Sequence, residues 1–199
     1  MTDAQTIALY DAEIASYAAT LNWDTPDEDL KRFLKALPAR ADVLDLGCGP
    51  GHAAKLIAEA GHRVTATDAS AGMAAYARRQ PGITARQAVF EDHTEVAAYD
   101  GIYANFSLLH ARLTDLPGHL KRLATTLKPG GVLHVSMKEG SGEQRDSLGR
   151  HYCYVILPDL QTLVSDAGFT CRSGEQGRLI GFDGVSTGYV VILAQKAPT

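Results

Sequence analysis

The residues best placed to do chemistry in this sequence form a glycine-rich loop. Positions 43–51 read VLDLGCGPG, so an apolar run is followed directly by glycines at 47, 49 and 51. Glycine lets the backbone approach a ligand closely, and the helix predicted behind the loop offers unpaired N–H groups and a partial positive charge. The loop therefore predicts a site for an anionic group, either a carboxylate or a phosphate.

A single acid follows the next predicted strand. Asp68 ends the run VTATD at 64–68 and lies 17 residues beyond Gly51, near the spacing at which a carboxylate accepts both hydroxyls of a ribose. The structural alternative for Asp68 is an N-terminal cap of the helix beginning near Ser70. A dinucleotide fingerprint would place a glycine where this chain has His52, so the pattern argues against NAD or FAD.

The elements that must position these residues alternate between strands and helices. Apolar runs rich in Val and Ile alternate with helical periodicity from position 42 onward, which indicates an α/β fold with a parallel sheet. We predict strands at 42–46, 62–67, 83–88, 101–105, 132–137, 169–174 and 188–195, and helices at 6–18, 27–37, 52–60, 71–79, 113–127 and 158–166. Pro129 and Gly130 predict a type II turn, and residues 140–149 are predicted to form a loop.

These motifs resemble those of the class I S-adenosylmethionine (SAM) dependent methyltransferases. The resemblance extends from about position 42 to position 196 and rests on the loop at 43–51 and the acid at 68. It implies a three-layer Rossmann-like α/β fold, with a seven-stranded, mostly parallel sheet whose last strand is antiparallel. It also implies methyl transfer from SAM, with S-adenosylhomocysteine (SAH) as product, and one domain over 1–199 in which residues 1–38 are an N-terminal helical lid or preface.

The resemblance further implies a role for each residue of the cofactor site. Gly47 and Gly49 would line the methionine part of SAM, Asp45 would orient its amino group, and Asp68 would hold the ribose. The whole predicted cofactor site consists of Tyr17, Asp45, Gly47, Cys48, Gly49, Asp68, Ala69, Met73, Val89, Phe90 and Asn105.

The predicted cofactor residues after Asp68 would contact the adenine and the methyl group of SAM. Ala69 and Met73 would flank the adenine, together with Val89 and Phe90. Family members usually have an acid at the end of the third strand, where this chain has Val89. Asn105 lies at the predicted exit of the fourth strand, which in the family faces the transferred methyl group.

Three candidates have a structural interpretation beside the functional one. His110 lies where a general base would reach a substrate, yet a histidine after two leucines is often only packed at a strand exit. Tyr17 would close over SAM as part of a lid, or it would bury one face of a helix. Cys48 has no neighbouring base in the sequence, so we interpret it as a packing residue.

A basic and aromatic cluster follows the fifth predicted strand. It consists of Arg145, Arg150, His151 and Tyr152. Family members build their acceptor pockets in this region, so the cluster would grip an anionic substrate. A solvated loop explains the same residues.

The amino-acid composition indicates which kinds of partner and substrate the protein would bind. The formal net charge is −4 and no basic run exceeds two residues, which argues against a nucleic-acid surface and favours a small-molecule acceptor. Three widely spaced cysteines predict neither disulfides nor a metal site and suit a reducing cytoplasm, and no membrane segment is predicted. The alternatives are a non-catalytic SAM-binding module, a nucleic-acid or protein methyltransferase that needs a partner, and a nicotinamide oxidoreductase, which His52 disfavours.

Overall fold

The N-terminal segment is helical. A computed structural model describes residues 3–198 and begins with α1 (Ala4–Ala12), α2 (Ile14–Ala18) and α3 (Glu28–Ala36). The prediction of one helix over 6–18 is wrong in detail, because the backbone leaves helical geometry at Glu13, where φ is −108° and ψ is 19°. Asp27 caps α3 by accepting a hydrogen bond from the amide of Leu30, and the helix ends before Pro38, as predicted.

Seven strands form the central sheet, and two more form a separate hairpin. Within residues 3–198 the strands are β1 (Asp42–Leu46), β2 (Arg63–Asp68), β3 (Ile83–Gln87), β4 (Tyr99–Asn105), β5 (Leu127–Lys138), β6 (Gly142–Arg145), β7 (His151–Tyr154), β8 (Phe169–Ile180) and β9 (Ser186–Lys196). The sheet order is β3-β2-β1-β4-β5-β9-β8. The last strand, β9, runs antiparallel to both of its neighbours, β5 and β8, whereas the pairs among β1 to β5 are parallel, so the predicted fold class is confirmed.

Helices cover both faces of the sheet. Besides the N-terminal helices they are α4 (His52–Glu59), α5 (Ala71–Ala77), α6 (Leu116–Thr126) and α7 (Leu157–Asp166). Successive strand residues point to opposite faces. Val43 and Tyr103 therefore pack into the core with α3 and α4, whereas Leu44 and Ile102 pack into the core with α6 and α7. The result is three layers, helix, sheet and helix.

Two loop predictions have different outcomes. Gly130 has a φ of +74°, as the third residue of a type II turn requires, and the turn shifts the β4–β5 register between Tyr99 and Gly101. The predicted loop at 140–149 is wrong, because β6 lies within it and pairs with β7. Polar and glycine residues in β6 gave no alternation that would indicate a strand, and its pairing depends on the partner strand.

Three further features bear on function. Within residues 3–198, no helix is long and apolar enough to cross a membrane. In the same part of the chain, no group of three or more His, Cys, Asp or Glu side chains is arranged to hold a metal ion. Cys48, Cys153 and Cys171 are free thiols.

Candidate active site

The glycine loop joins β1 to α4 and is held against β2. The amides of Gly47 and Cys48 both donate to the backbone oxygen of Thr67, at 2.8 and 2.9 Å. Gly47 has a φ of +71°, and a Cβ there would lie 2.3 Å from the Cβ of Ser107, so no larger residue fits. The thiol of Cys48 is buried and burial raises its pKa well above the ordinary value, in keeping with a packing role.

Asp68 ends β2 beside this loop. One carboxylate oxygen accepts a hydrogen bond from the amide of Gly49, and the other accepts one from the amide of Ser70, both at 2.8 Å. Burial raises the pKa of Asp68 to about 6. The N-cap of α5 is Ser70, whose hydroxyl accepts from the amide of Met73. Asp68 therefore supports the start of α5 without being its cap, and each of its oxygens keeps a further lone pair for a ligand.

Asp45 is the second-last residue of β1, just before the loop, and its side chain is buried, with 3% of the residue exposed. One of its carboxylate oxygens has no hydrogen-bond partner among residues 3–198. The pKa of Asp45 is raised to about 7, mainly by burial; a hydrogen bond with the backbone of Ala54 lowers it in part, and the charge of Asp68 adds to the rise. A buried carboxylate without a partner is costly unless a cation or a donor reaches it.

The carboxyl ends of the first four strands surround one cavity of about 140 Å³. The cavity lies where the strand order reverses, between β1 and β4, as ligand sites of open α/β sheets do. Ten of the eleven predicted cofactor residues line it, and they are Tyr17, Asp45, Gly47, Cys48, Gly49, Asp68, Ala69, Met73, Phe90 and Asn105. Asn105 accepts a hydrogen bond from Ser136 at 2.6 Å, which fixes its side chain at the exit of β4.

Val89 is the predicted residue that the structure places outside the lining. The sheet strand β3 ends at Gln87, and the chain continues in an extended conformation through Val89, where φ is −92° and ψ is 168°. Alternate residues of an extended chain face the same side. Ala88 and Phe90 accordingly line the cavity and Val89 does not.

The N-terminal helices cover the cavity. The Asp11 carboxylate accepts hydrogen bonds from the hydroxyl of Ser70 at 2.5 Å and from the amide of Gly72 at 2.9 Å, which fastens α1 to the start of α5. Tyr17 lies over the glycine loop, since a Cβ on Gly49 would be 3.6 Å from its ring. Tyr10 packs edge-on against Tyr17, with ring centroids 5.7 Å apart. These helices therefore occupy the position of a lid.

A second cavity of about 420 Å³ adjoins the first. The two share five lining residues, which are Tyr10, Tyr17, Leu21, Phe106 and His110. The second is also lined by Lys138 at the end of β5 and by Phe182 between β8 and β9. The sequence analysis missed both of these residues, because neither lies in a motif and their segments meet only in the folded chain.

Phe106 stands in the wall between the two cavities with an unusual backbone conformation. Its φ is +51°, a region that bulky residues rarely adopt and that recurs at functional sites. Its amide donates to the hydroxyl of Ser136 at 2.8 Å, and its ring packs edge-on against Tyr189 at 5.8 Å. The exit of β4 is thus held rigidly where the cavities meet.

His110 lies in the same wall and is engaged through both ring nitrogens. Its Nδ1 is 2.8 Å from the backbone oxygen of His151, so Nδ1 carries the proton and donates. Its Nε2 is then the acceptor from the hydroxyl of Tyr10, at 3.0 Å. Burial lowers the pKa of His110 to about 4, so the ring is neutral near pH 7.

The predicted basic cluster divides in two. Arg145 and His151 each pair with an acid outside both cavities. Arg150 and Tyr152 line the second cavity, and Arg150 is buried in an ion pair with Asp146. Only half of the cluster is therefore placed to meet a substrate.

Fold and site together define an α/β protein whose glycine loop and strand-end acids face one cavity at the carboxyl ends of the sheet strands. The Methyltransferase domain family model matches residues 17–173 of the chain. The match spans most of the sequence, and the chain belongs to this family, within the class I SAM-dependent methyltransferases.

Two relatives align with part of the chain. Trans-aconitate 2-methyltransferase of Methylobacterium nodulans is 40% identical over 129 residues, which cover 61% of this chain and 46% of the relative. Malonyl-[acyl-carrier protein] O-methyltransferase of Pectobacterium atrosepticum is 34% identical over 116 residues, which cover 56% of this chain and 45% of the relative. The chain thus spans less than half the length of these relatives.

A solved structure shows the same fold over nearly its whole length. The SAM-dependent methyltransferase of Methanosarcina mazei superimposes with a TM-score of 0.76 at 19% identity, and the alignment covers 87% of this chain and 99% of that one. At this level of identity the likeness shows the fold alone.

Proposed function

We propose that this protein transfers the methyl group of SAM to a small-molecule acceptor. The observation that carries the proposal is a buried Asp45 carboxylate with one oxygen unpartnered within residues 3–198, in a residue that lines the same cavity as Asp68. SAM presents a primary ammonium and a ribose diol, which are the groups that two such carboxylates would satisfy. The residues present therefore fit the cofactor.

We assign the cofactor contacts as follows. Asp45 would hold the ammonium, the backbone at Gly47 and Gly49 would lie against the methionine part, and Asp68 would accept the ribose hydroxyls. Ala69, Met73 and Phe90 would flank the adenine, with Cys48 packed beneath the loop, Asn105 near the methyl group and Tyr17 above it. Val89 has no part in this assignment. We further propose one domain over the chain, with residues 1–38 as its lid.

In methyl transfer from SAM, the main task of the protein is to align the acceptor with the methyl group. When bound, SAM supplies a methyl group on a sulfonium sulfur, already activated for in-line displacement. Tyr10, Tyr17 and Phe106 stand where the two cavities meet, so they would exclude water and aim the acceptor at the methyl carbon. A lone pair of the acceptor would form the new bond to the methyl carbon. The electron pair of the broken carbon–sulfur bond would stay on sulfur.

His110 is the candidate for a base, and its hydrogen bonds favour a different role. Its accepting nitrogen already receives the hydroxyl proton of Tyr10, and its lowered pKa makes it a weak base. We infer that His110 positions Tyr10 between the cavities. An acceptor that is ionised in solution would need no base.

A small acceptor agrees with the dimensions and charge of the protein. The second cavity is about 420 Å³, and the net charge of −4 offers no surface for nucleic acid. The two relatives are named for trans-aconitate and for a malonyl group on a carrier protein, which supports a low-molecular-weight acceptor. Three free cysteines support a reducing compartment such as the cytoplasm.

Calorimetric titration with SAM, SAH and NADH tests the cofactor. We expect micromolar binding of SAM and SAH and none of NADH. Binding of NADH alone would replace the proposal with an oxidoreductase. Formation of SAH in the presence of candidate acceptors then separates an enzyme from a non-catalytic SAM-binding module, and turnover only with added RNA or protein would favour a macromolecular substrate.

A further inference from the structure

The charged side chains that line the second cavity are all positive among residues 3–198. Lys138 and Arg150 are the charged residues of its lining, and no Asp or Glu side chain within residues 3–198 belongs to it. The remaining wall is largely aromatic and aliphatic, with Tyr152 and Phe182 among its members. From the described part of the chain, an occupant of this cavity therefore meets cations and apolar surface and no carboxylate.

Arg150 is already neutralised by a neighbour. It is 2% exposed, its Nε donates to the Asp146 carboxylate at 2.8 Å, and a terminal nitrogen lies 2.6 Å from the same oxygen. The guanidinium also lies 5.3 Å from the ring centroid of Tyr152 and 5.7 Å from that of Phe182. Its charge and its planar face are therefore occupied by protein groups.

The ammonium of Lys138, unlike the guanidinium of Arg150, is not paired with a carboxylate of residues 3–198. Lys138 is 7% exposed, and its Nζ forms no ion pair or hydrogen bond with any residue that the structure describes. It makes a cation–π contact with the ring of Tyr152, whose centroid is 3.9 Å from Nζ. Burial lowers the pKa of the Lys138 ammonium, although the more distant Asp183 and Asp146 raise it. A buried ammonium with three donors and one aromatic face is an unsatisfied cation.

We propose that Lys138 binds a carboxylate of the methyl acceptor, so that the second cavity selects acceptors that carry one negative charge on an apolar body. The inference rests on the proposed function, because it places the acceptor beside the cofactor cavity. One free cation matches one carboxylate, and the aromatic wall matches the rest of the molecule. A phosphate dianion would leave one charge unmatched.

The position of Lys138 suits an anchoring role. It lies at the carboxyl end of β5, next to β4, whose exit forms the wall shared with the cofactor cavity. A carboxylate held there would direct the body of the acceptor along the aromatic wall, toward Tyr10 and Phe106 at the junction of the cavities. Lys138 is thus assigned to substrate recognition and not to bond making.

Calorimetry on the full chain, with and without saturating SAH, tests this assignment. The probes are benzoate, cinnamate and hexanoate, each beside its amide, with phenyl phosphate as a dianion. We expect at least one acid to bind the SAH-loaded protein on the order of tenfold more tightly than its amide and than phenyl phosphate. Failure of every acid to bind, or tighter binding of phenyl phosphate, overturns the proposal.

Variants then attribute the preference to one side chain. Lys138→Met removes the charge and leaves an unbranched side chain that is shorter by one atom, and we expect it to bind acid and amide alike with unchanged affinity for SAH. Lys121→Met removes a charge from the exposed face of α6 and should keep the preference. Persistence of the preference in Lys138→Met overturns the assignment. Lys138→Gln provides the same comparison should the methionine variant not fold.

Thermal unfolding separates a binding role from a structural one. Because Lys138 is an uncompensated buried charge, Lys138→Met should melt at or above the temperature of the parent chain. A marked loss of stability would indicate a structural lysine and overturn the proposal. If SAH fails to bind while the acids still bind through Lys138, the proposed cofactor is wrong and the anion site stands.

Discussion

The amide of Gly49 donates to the carboxylate of Asp68 across 2.8 Å, and this bond joins the glycine loop after β1 to the end of β2. The two residues are 19 positions apart in the chain. The carboxylate is therefore oriented before any cofactor arrives, and the loop is held in the shape that the cofactor needs. Such preorganisation reduces the conformational entropy that binding would otherwise cost.

Replacing Asp68 by Ala should weaken SAM binding by about 1–3 kcal/mol, because the ribose hydroxyls lose a charged acceptor and the loop loses its tie. Calorimetric titration of SAM measures the change. Asp166→Ala, at an exposed position at the end of α7, is the matched control and should leave affinity unaltered. An affinity equal to that of the parent chain would show that Asp68 does not hold the ribose.

Binding of SAM should release a proton near pH 6. Burial raises the pKa of Asp45 to about 7, so the free protein holds a proton there below that pH, whereas an ammonium beside Asp45 favours the carboxylate. Affinity for SAM should accordingly fall as the pH drops below about 7, and well above 7 no proton should be released.

Titrations in buffers of different ionisation enthalpy count the protons. Asp45→Asn should abolish most of the release. Asp68→Ala should reduce it to a smaller extent, since it removes a second group with a pKa of about 6 and the charge that helps to raise the pKa of Asp45. Equal enthalpies in all buffers near pH 6 would mean that the ammonium does not reach Asp45.

His110→Gln should lower turnover by less than about tenfold, since the amide can still hold the hydroxyl of Tyr10. A general base would cost on the order of a hundredfold or more. Steady-state formation of SAH distinguishes the two, with His62→Gln, a partly buried residue outside both cavities, as the control. A large fall in kcat with unchanged KM would restore His110 as a base.

Tyr17→Ala should raise the Kd for SAM if α1 and α2 close over the cofactor, because the ring covers the loop at Gly49. Ser16→Ala, on the exposed side of α2, should not. Hydrogen exchange in residues 6–18 should slow when SAM is added to the parent chain. Unchanged exchange together with an unchanged Kd would make Tyr17 a core residue and the segment a fixed preface.

The cofactor half of the site was predictable because its signals are local. The loop at 43–51 and Asp68 lie within 26 residues of one another, and they are brought together by one strand, one helix and the next strand. Ten of the eleven predicted residues line the cavity. Val89 was misplaced because the chain stays extended beyond β3, and the alternation of side chains brings Ala88 and Phe90, but not Val89, to the cavity.

Sequence periodicity by itself determined the order and type of most elements, since the alternation of apolar residues follows the geometry of each element. Only the tertiary structure decided the acceptor side. Tyr10 reaches His110 across 100 positions and Arg150 across 140, and the Lys138 ammonium contacts the ring of Tyr152. Contacts of that range carry no local pattern, because they depend on how the finished sheet, hairpin and lid pack together.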